Sequence, residues 1–238
     1  MADVRLFLFP YAGGTPAAFN NWPIEFPDSI ETNIVYYPGR GSRFNEPPIR
    51  NFSVLVDEIH RAILPIVDKP FIFFGHSMGG TIAFELARQL KQRNLLQPQI
   101  LFVSAQAAPQ LPNPNPSIHT LPDSEFVNFL RGLNGIPADV INHSELMELL
   151  LPTLRADFET IENYEYVADK NQLTCPIIAF GGTDDPRVKP DHLEGWSIHT
   201  KASFKSYYFS GDHFFINTAR RSVIASMVTE IKSLNATR

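Results

Sequence analysis

The stretch FIFFGHSMGGTIAFELA, residues 71–87, sets an apolar run before Gly75-His76-Ser77-Met78-Gly79 and an amphipathic run directly after it. A short buried-type run that passes at once into helical periodicity describes a strand turning sharply into a helix. A G-x-S-x-G in that frame is a nucleophile elbow, in which the reversal holds the serine in a strained backbone conformation with its hydroxyl exposed. Side chains two positions either side of the serine would crowd the turn, and Gly75 and Gly79 remove them. Ser77 is therefore the candidate nucleophile.

Working outward, runs rich in aliphatic and aromatic residues fall at 4–9, 33–37, 100–104, 177–180 and 205–209. They are continuous rather than alternating, as strands covered on both faces are. Between them lie helical spacings: Leu55, Ile59, Ala62, Ile63 and Ile66; then Ile82, Ala83, Leu86, Ala87 and Leu90; last Val223, Ile224, Met227, Val228, Ile231 and Leu234. This alternation predicts an α/β fold with a mostly parallel, doubly wound sheet and functional loops at the carboxyl ends of its strands. It breaks over residues 107–172. The proline-rich APQLPNPNPS at 108–117 cannot enter a central sheet. Two helical faces follow, one with Phe126, Phe129, Leu130 and Leu133, the other with Leu146, Leu150, Leu154, Phe158 and Ile161 and a kink at Pro152. The expected organisation is a core of residues 1–106 and 173–238 carrying a helical lid at 107–172.

A serine needs a base, and the elbow fold supplies its partners in the order Ser, Asp or Glu, His. His213 lies after the last strand run, in FSGDHFF at 209–215, and is the expected base. His60, His119 and His143 precede the expected acid, and His192 and His199 lie between the last two strands; all read as surface or lid residues. His76 is expected to point into packing. The acid should follow strand 177–180, where Asp184 and Asp185 compete. Pro186 stiffening the turn and Val188 packing back favour Asp185, while Asp184 suits the capping of local amides. No carboxylate follows strand 100–104, so the other usual source of the acid is closed. For the oxyanion, the backbone N–H of Met78 and that of Ala12, in the glycine-rich loop after the first strand, are the expected donors.

The 238 residues, 44% of them hydrophobic, suit one body with a substantial core. A net charge of -5 and no basic run argue against a nucleic-acid surface. The first residues lack the length of a secretory apolar region, no segment reaches a bilayer-spanning length, and the lone Cys175 fits a reducing compartment, so a cytoplasmic protein without a membrane span is expected. Cys175, before Pro176 and an apolar run, reads as a buried filler. Phosphate-loop, H-E-x-x-H, C-x-x-C and dinucleotide patterns are absent, which predicts no cofactor and no metal.

The residues also resemble a family, the external type II thioesterases of nonribosomal peptide and polyketide synthase pathways, of the α/β-hydrolase fold. The pieces that carry the likeness are FPYAGG at 9–14, AFNNW at 18–22, YPGRGSR at 37–43, FFGHSMGG at 73–80, LPTLRADF at 151–158, GGTDDPRV at 181–188, Trp196 and GDHFF at 211–215. The resemblance implies a triad of Ser77, Asp185 and His213, oxyanion donors at Met78 and Ala12, and a lid over an acyl tunnel. It implies hydrolysis of acyl groups from the phosphopantetheine arm of an acyl or peptidyl carrier domain, by a monomer whose substrate, rather than the enzyme, brings the phosphopantetheine. Arg40, Arg43 and Arg187 are candidate carrier contacts, and Asp212, where the family often has glycine, is expected to face solvent. The same triad would serve a general carboxylesterase or an acyltransferase. A hydrolase-fold binding protein without catalysis is the reading from another class.

Overall fold

The computed structural model describes residues 2–112, 116–168 and 172–236. Its centre is a sheet of β1 (Val4–Phe9), β2 (Ile30–Ile34), β3 (Phe71–His76), β4 (Leu101–Ser104), β5 (Ile177–Gly182) and β6 (Phe204–Phe209). The order is β2-β1-β3-β4-β5-β6, with every neighbouring pair parallel. Because side chains alternate across a pleat, the continuous apolar strands feed two cores at once. Phe7, Phe9, Phe71, Phe73, Leu101, Val103 and Ile177 pack on one face with helices α1 (Phe52–Ile63) and α2 (Met78–Gln92). Leu6, Leu8, Ile72, Phe74, Phe102, Ile178 and Phe180 pack on the other with the short α7 (Phe215–Thr218) and the long α8 (Arg220–Ala236).

The second strand lies earlier than its aromatic run suggested. Ile30–Ile34 pairs with β1, from Val4 opposite Ile30 to Leu8 opposite Ile34. This strand is the sheet edge and is largely half-exposed, so it reads as polar Glu31-Thr32-Asn33. Of the apolar 35–37 run only Tyr37 is buried, and for another reason: its hydroxyl donates to the Pro10 carbonyl at 3.1 Å, holding the loop after β2 against the loop after β1.

Between β4 and β5 the chain forms α3 (Asp123–Leu133), α4 (Ala138–Ile141) and α5 (Ser144–Glu162), and the short α6 (Pro190–Glu194) follows β5. Phe126, Leu130, Ile141, Met147, Leu154 and Phe158 give α3–α5 a core of their own, separate from the two sheet faces. Pro152 sits inside α5, which runs on past it. Residues 113–115 of the proline-rich stretch and 169–171 near the end of the helical segment lie outside the described residues.

Candidate active site

Strand β3 ends at His76 and α2 begins at Met78, leaving Ser77 alone to make the reversal, at φ 52° and ψ −122°. That left-handed φ is costly for a residue with a side chain. It is enforced from both sides, by Ser77 N donating to the Ser104 carbonyl at 2.7 Å and by Gly80 N donating to the Ser77 carbonyl at 2.7 Å. A Cβ on Gly75 would overlap the Gly79 carbonyl, and one on Gly79 the Phe9 carbonyl, so only glycine fits at either place.

His213 Nε2 lies 3.1 Å from Ser77 Oγ, and its Nδ1 lies 2.8 Å from Asp185 Oδ2. A carboxylate only accepts, so Nδ1 carries the proton and Nε2 is free to accept from the serine hydroxyl. Both His213 and Asp185 are buried. Asp185 Oδ1 accepts from the backbone N–H of Arg187 at 2.8 Å and of Val188 at 3.2 Å. Burial pushes this carboxyl's pKa up, but its bonds to His213 and the two amides outweigh that and hold it below the usual range. Asp184 is exposed and accepts from the Thr183 hydroxyl at 3.1 Å. His76 turns away into packing, with Nδ1 2.9 Å from Ser104 Oγ, and burial holds its pKa far below the usual value. Asp212, expected to face solvent, is half-buried, taking the Phe214 N–H at 2.8 Å and the Asn134 amide at 3.2 Å.

Ala12 and Met78 line the same cavity as Ser77, and among the described residues their backbone N–H groups donate to no other group. The loop carrying Ala12 is tied to α5: Gly13 N donates to Asp157 Oδ2 at 2.7 Å. Asp157 also receives Arg40 in a bidentate pair, both bonds 2.6 Å and both side chains buried. This corrects the expectation for Arg40, which is committed to the interior and cannot meet a carrier. Arg43 pairs with Glu46 and Glu58. Asp157 was missed as a functional residue, yet a signal existed: it is a carboxylate on the apolar face of α5, beside Leu154, Phe158 and Ile161.

The cavity at Ser77, about 580 Å³, is lined by Ser77, Met78 and His213 below and by Phe129, Phe158 and Ile161 of the helical segment above. Its rim near Ile118 is pinned by Glu162, which accepts from the backbone N–H of Ile118 and His119 and from the Ser117 hydroxyl at 2.7 Å, with His119 Nδ1 at 2.5 Å. Leu150 and Leu154 line a second cavity of about 670 Å³ between α4, α5 and the loop after β1, and Phe126 is buried in the core of the helical segment. Buried Tyr11 borders both cavities, packed edge-on to Phe214 at 4.8 Å.

Two histidines read as surface residues are buried. His60 sits in the α1 core, and His199 packs on Phe84 and Trp196 with Nε2 2.5 Å from Gln110 Oε1. Burial, with the Arg88 charge adding to it, lowers the His199 pKa to about 4. Cys175 is buried as expected, and burial pushes its thiol up to about 12. Among the described residues no three His, Cys, Asp or Glu side chains cluster to hold a metal ion, and no helix is long and apolar enough to cross a membrane.

Against this geometry stand the comparisons with known proteins. The family model described as "Thioesterase domain" matches residues 4–231. The gramicidin S biosynthesis protein GrsT of Aneurinibacillus migulanus is 42% identical over 231 residues, covering 97% of this chain and 90% of that one. A protein named linear gramicidin dehydrogenase LgrE, from Brevibacillus parabrevis, is 41% identical over 235 residues, covering 98% and 89%. Among solved structures, ClbQ from the colibactin NRPS/PKS pathway superposes with a TM-score of 0.95 at 30% identity over 100% of both chains.

Proposed function

The chain belongs to the thioesterase domain family, and on that premise we propose that it hydrolyses acyl thioesters carried on the phosphopantetheine arm of a carrier domain, in editing or release for a peptide or polyketide synthase. The observation that carries this reading is the hydrogen-bonded chain Ser77, His213, Asp185, set in a cavity roofed by α3 and α5. The relatives' assignment to gramicidin and colibactin pathways supports the class of substrate.

His213 takes the Ser77 proton as Oγ attacks the thioester carbonyl, and Asp185 stabilises the imidazolium that results. The carbonyl oxygen, now negative, is received by the N–H groups of Ala12 and Met78. His213 protonates the departing thiol, then activates the water that releases the acid. Residues 107–172 act as the lid, excluding bulk water from the acyl-enzyme and offering Phe129 and Phe158 to the acyl chain. We read the protein as a cytoplasmic monomer with no cofactor of its own. The dehydrogenase name of one relative finds no support in this chain, whose glycine loop GGTPAAF lacks the dinucleotide spacing.

The test compares kcat/KM for one acyl group on a carrier domain, on pantetheine and on coenzyme A. A clear preference for the carrier is expected, because binding energy remote from the carbonyl can orient the thioester. Equal constants for all three donors would refute the carrier reading and leave a general esterase.

A further inference from the structure

Arg187 lines the catalytic cavity together with Ser77 and His213. Its backbone is fixed by the triad's own carboxylate, through the 2.8 Å bond from Arg187 N to Asp185 Oδ1, and the following Val188 is buried. Its guanidinium carbon stands 5.9 Å from the centre of the Phe129 ring on α3. Among the described residues this guanidinium makes no hydrogen bond and no ion pair. That sets it apart from Arg40, Arg88 and Arg155, whose largely buried side chains pair with Asp157, Glu85 and Asp123.

The two carboxylates nearest in charge to Arg187 are already engaged. Asp185 is held by His213 and two amides, and Glu162 by Ser117, His119 and the amide of Ile118. Burial draws the Arg187 pKa below its ordinary value against the pull of those two charges, yet arginine remains protonated at neutral pH. A half-buried cation without a partner is costly, and an anion entering the cavity would relieve it by a charge-assisted, potentially bidentate pair.

We propose that Arg187 is an anion-recognition site of the catalytic cavity, pairing with an oxyanion that the thioester substrate carries; the proposal rests on the thioesterase reading above. Two parts of such a substrate bring that chemistry, a free carboxylate on the acyl group and the phosphate of the pantetheine arm. The acyl carboxylate is favoured, because Arg187 is anchored on the triad acid beside the reacting carbonyl, whereas the phosphate lies a whole pantetheine away.

The experiment uses four donors: malonyl and its neutral isostere isovaleryl, each on pantetheine and on 4′-phosphopantetheine. With Arg187→Gln, the ratio of kcat/KM for malonyl over isovaleryl is expected to fall about tenfold or more on either arm, and Arg187→Lys to restore part of it. A fall in the phosphorylated-to-unphosphorylated ratio, whatever the acyl group, would also support anion recognition and assign it to the arm. Equal losses on all four donors would overturn the proposal and reduce Arg187 to packing on Phe129; so would no change in either ratio. A parent enzyme that hydrolyses none of the four, nor the same two acyl groups on a carrier domain, refutes the thioesterase reading itself, a failure distinct from a loss of charge discrimination.

Discussion

Ser77 stands within hydrogen-bond reach of His213, at a backbone angle that the elbow imposes. Ser77→Ala is expected to reduce turnover by orders of magnitude, about 10⁶ in the subtilisin example, with the far-ultraviolet spectrum unchanged; a loss below tenfold would remove Ser77 as nucleophile. Asp185→Asn should cost about 10⁴, the scale seen when a triad acid can no longer fix the histidine tautomer. Asp184→Asn, on the exposed neighbour, should leave turnover within a factor of a few. Reversal of that order in steady-state kinetics would exchange the two roles. Sequence alone could narrow the acid to this pair because the strand that precedes it is recognisable. It could not choose on physical grounds, since adjacent side chains share a position in the chain and differ only in direction. Here the amides of Arg187 and Val188 turn Asp185 inward. The same limit explains His199 and His60: a polar side chain looks solvated in sequence until tertiary packing covers it.

Helix α5 shows what periodicity reads and what it omits. Its apolar face was legible as Leu150, Leu154, Phe158 and Ile161, while Leu146, expected on it, is exposed and Met147 is buried instead; the polar residues of the same turns do the fastening. Thr153 donates to the Gly39 carbonyl at 3.1 Å, Arg155 to that of His119 at 2.6 Å, and Asp157 holds Gly13 and Arg40. Each contact joins segments far apart in sequence, which no local pattern encodes. Strand β2 was misplaced for the converse reason, an aromatic run that belongs to the loop after it and buries only Tyr37. Breaking the buried pair with Arg40→Met should cost about 3–5 kcal/mol, because Asp157 is left charged and largely uncompensated. Urea unfolding would measure the loss. The double variant Arg40→Met with Asp157→Leu should recover most of that stability yet not the activity, since Gly13, next to the donor Ala12, still lacks its acceptor. Full recovery of both would show that the pair has no part in shaping the loop.

For the molecule as a whole, acid should weaken the fold partly through His199. Its folded pKa of about 4 lies below the unfolded value near 6.5, so between those limits the unfolded chain binds a proton that the native protein refuses. Stability from this group is full above about pH 6.5, falls as pH drops towards about 4, and falls no further below it. His199→Gln should flatten that part of the stability profile measured by urea titration; a profile identical to the parent would assign the acid sensitivity to other groups. The parallel sheet and its two-faced core were legible because parallel strands announce themselves by composition. How the helical segment meets the sheet was not, because a few buried polar contacts decide it. One of those contacts gives the molecule an internal clock. The Gly13 amide belongs to a loop, but it hangs from a carboxylate 144 positions away, so its proton should escape to deuterated solvent only when α5 lets go. In native-state hydrogen exchange that single loop amide is expected to keep pace with the helix, reporting from inside the catalytic loop each time the roof opens.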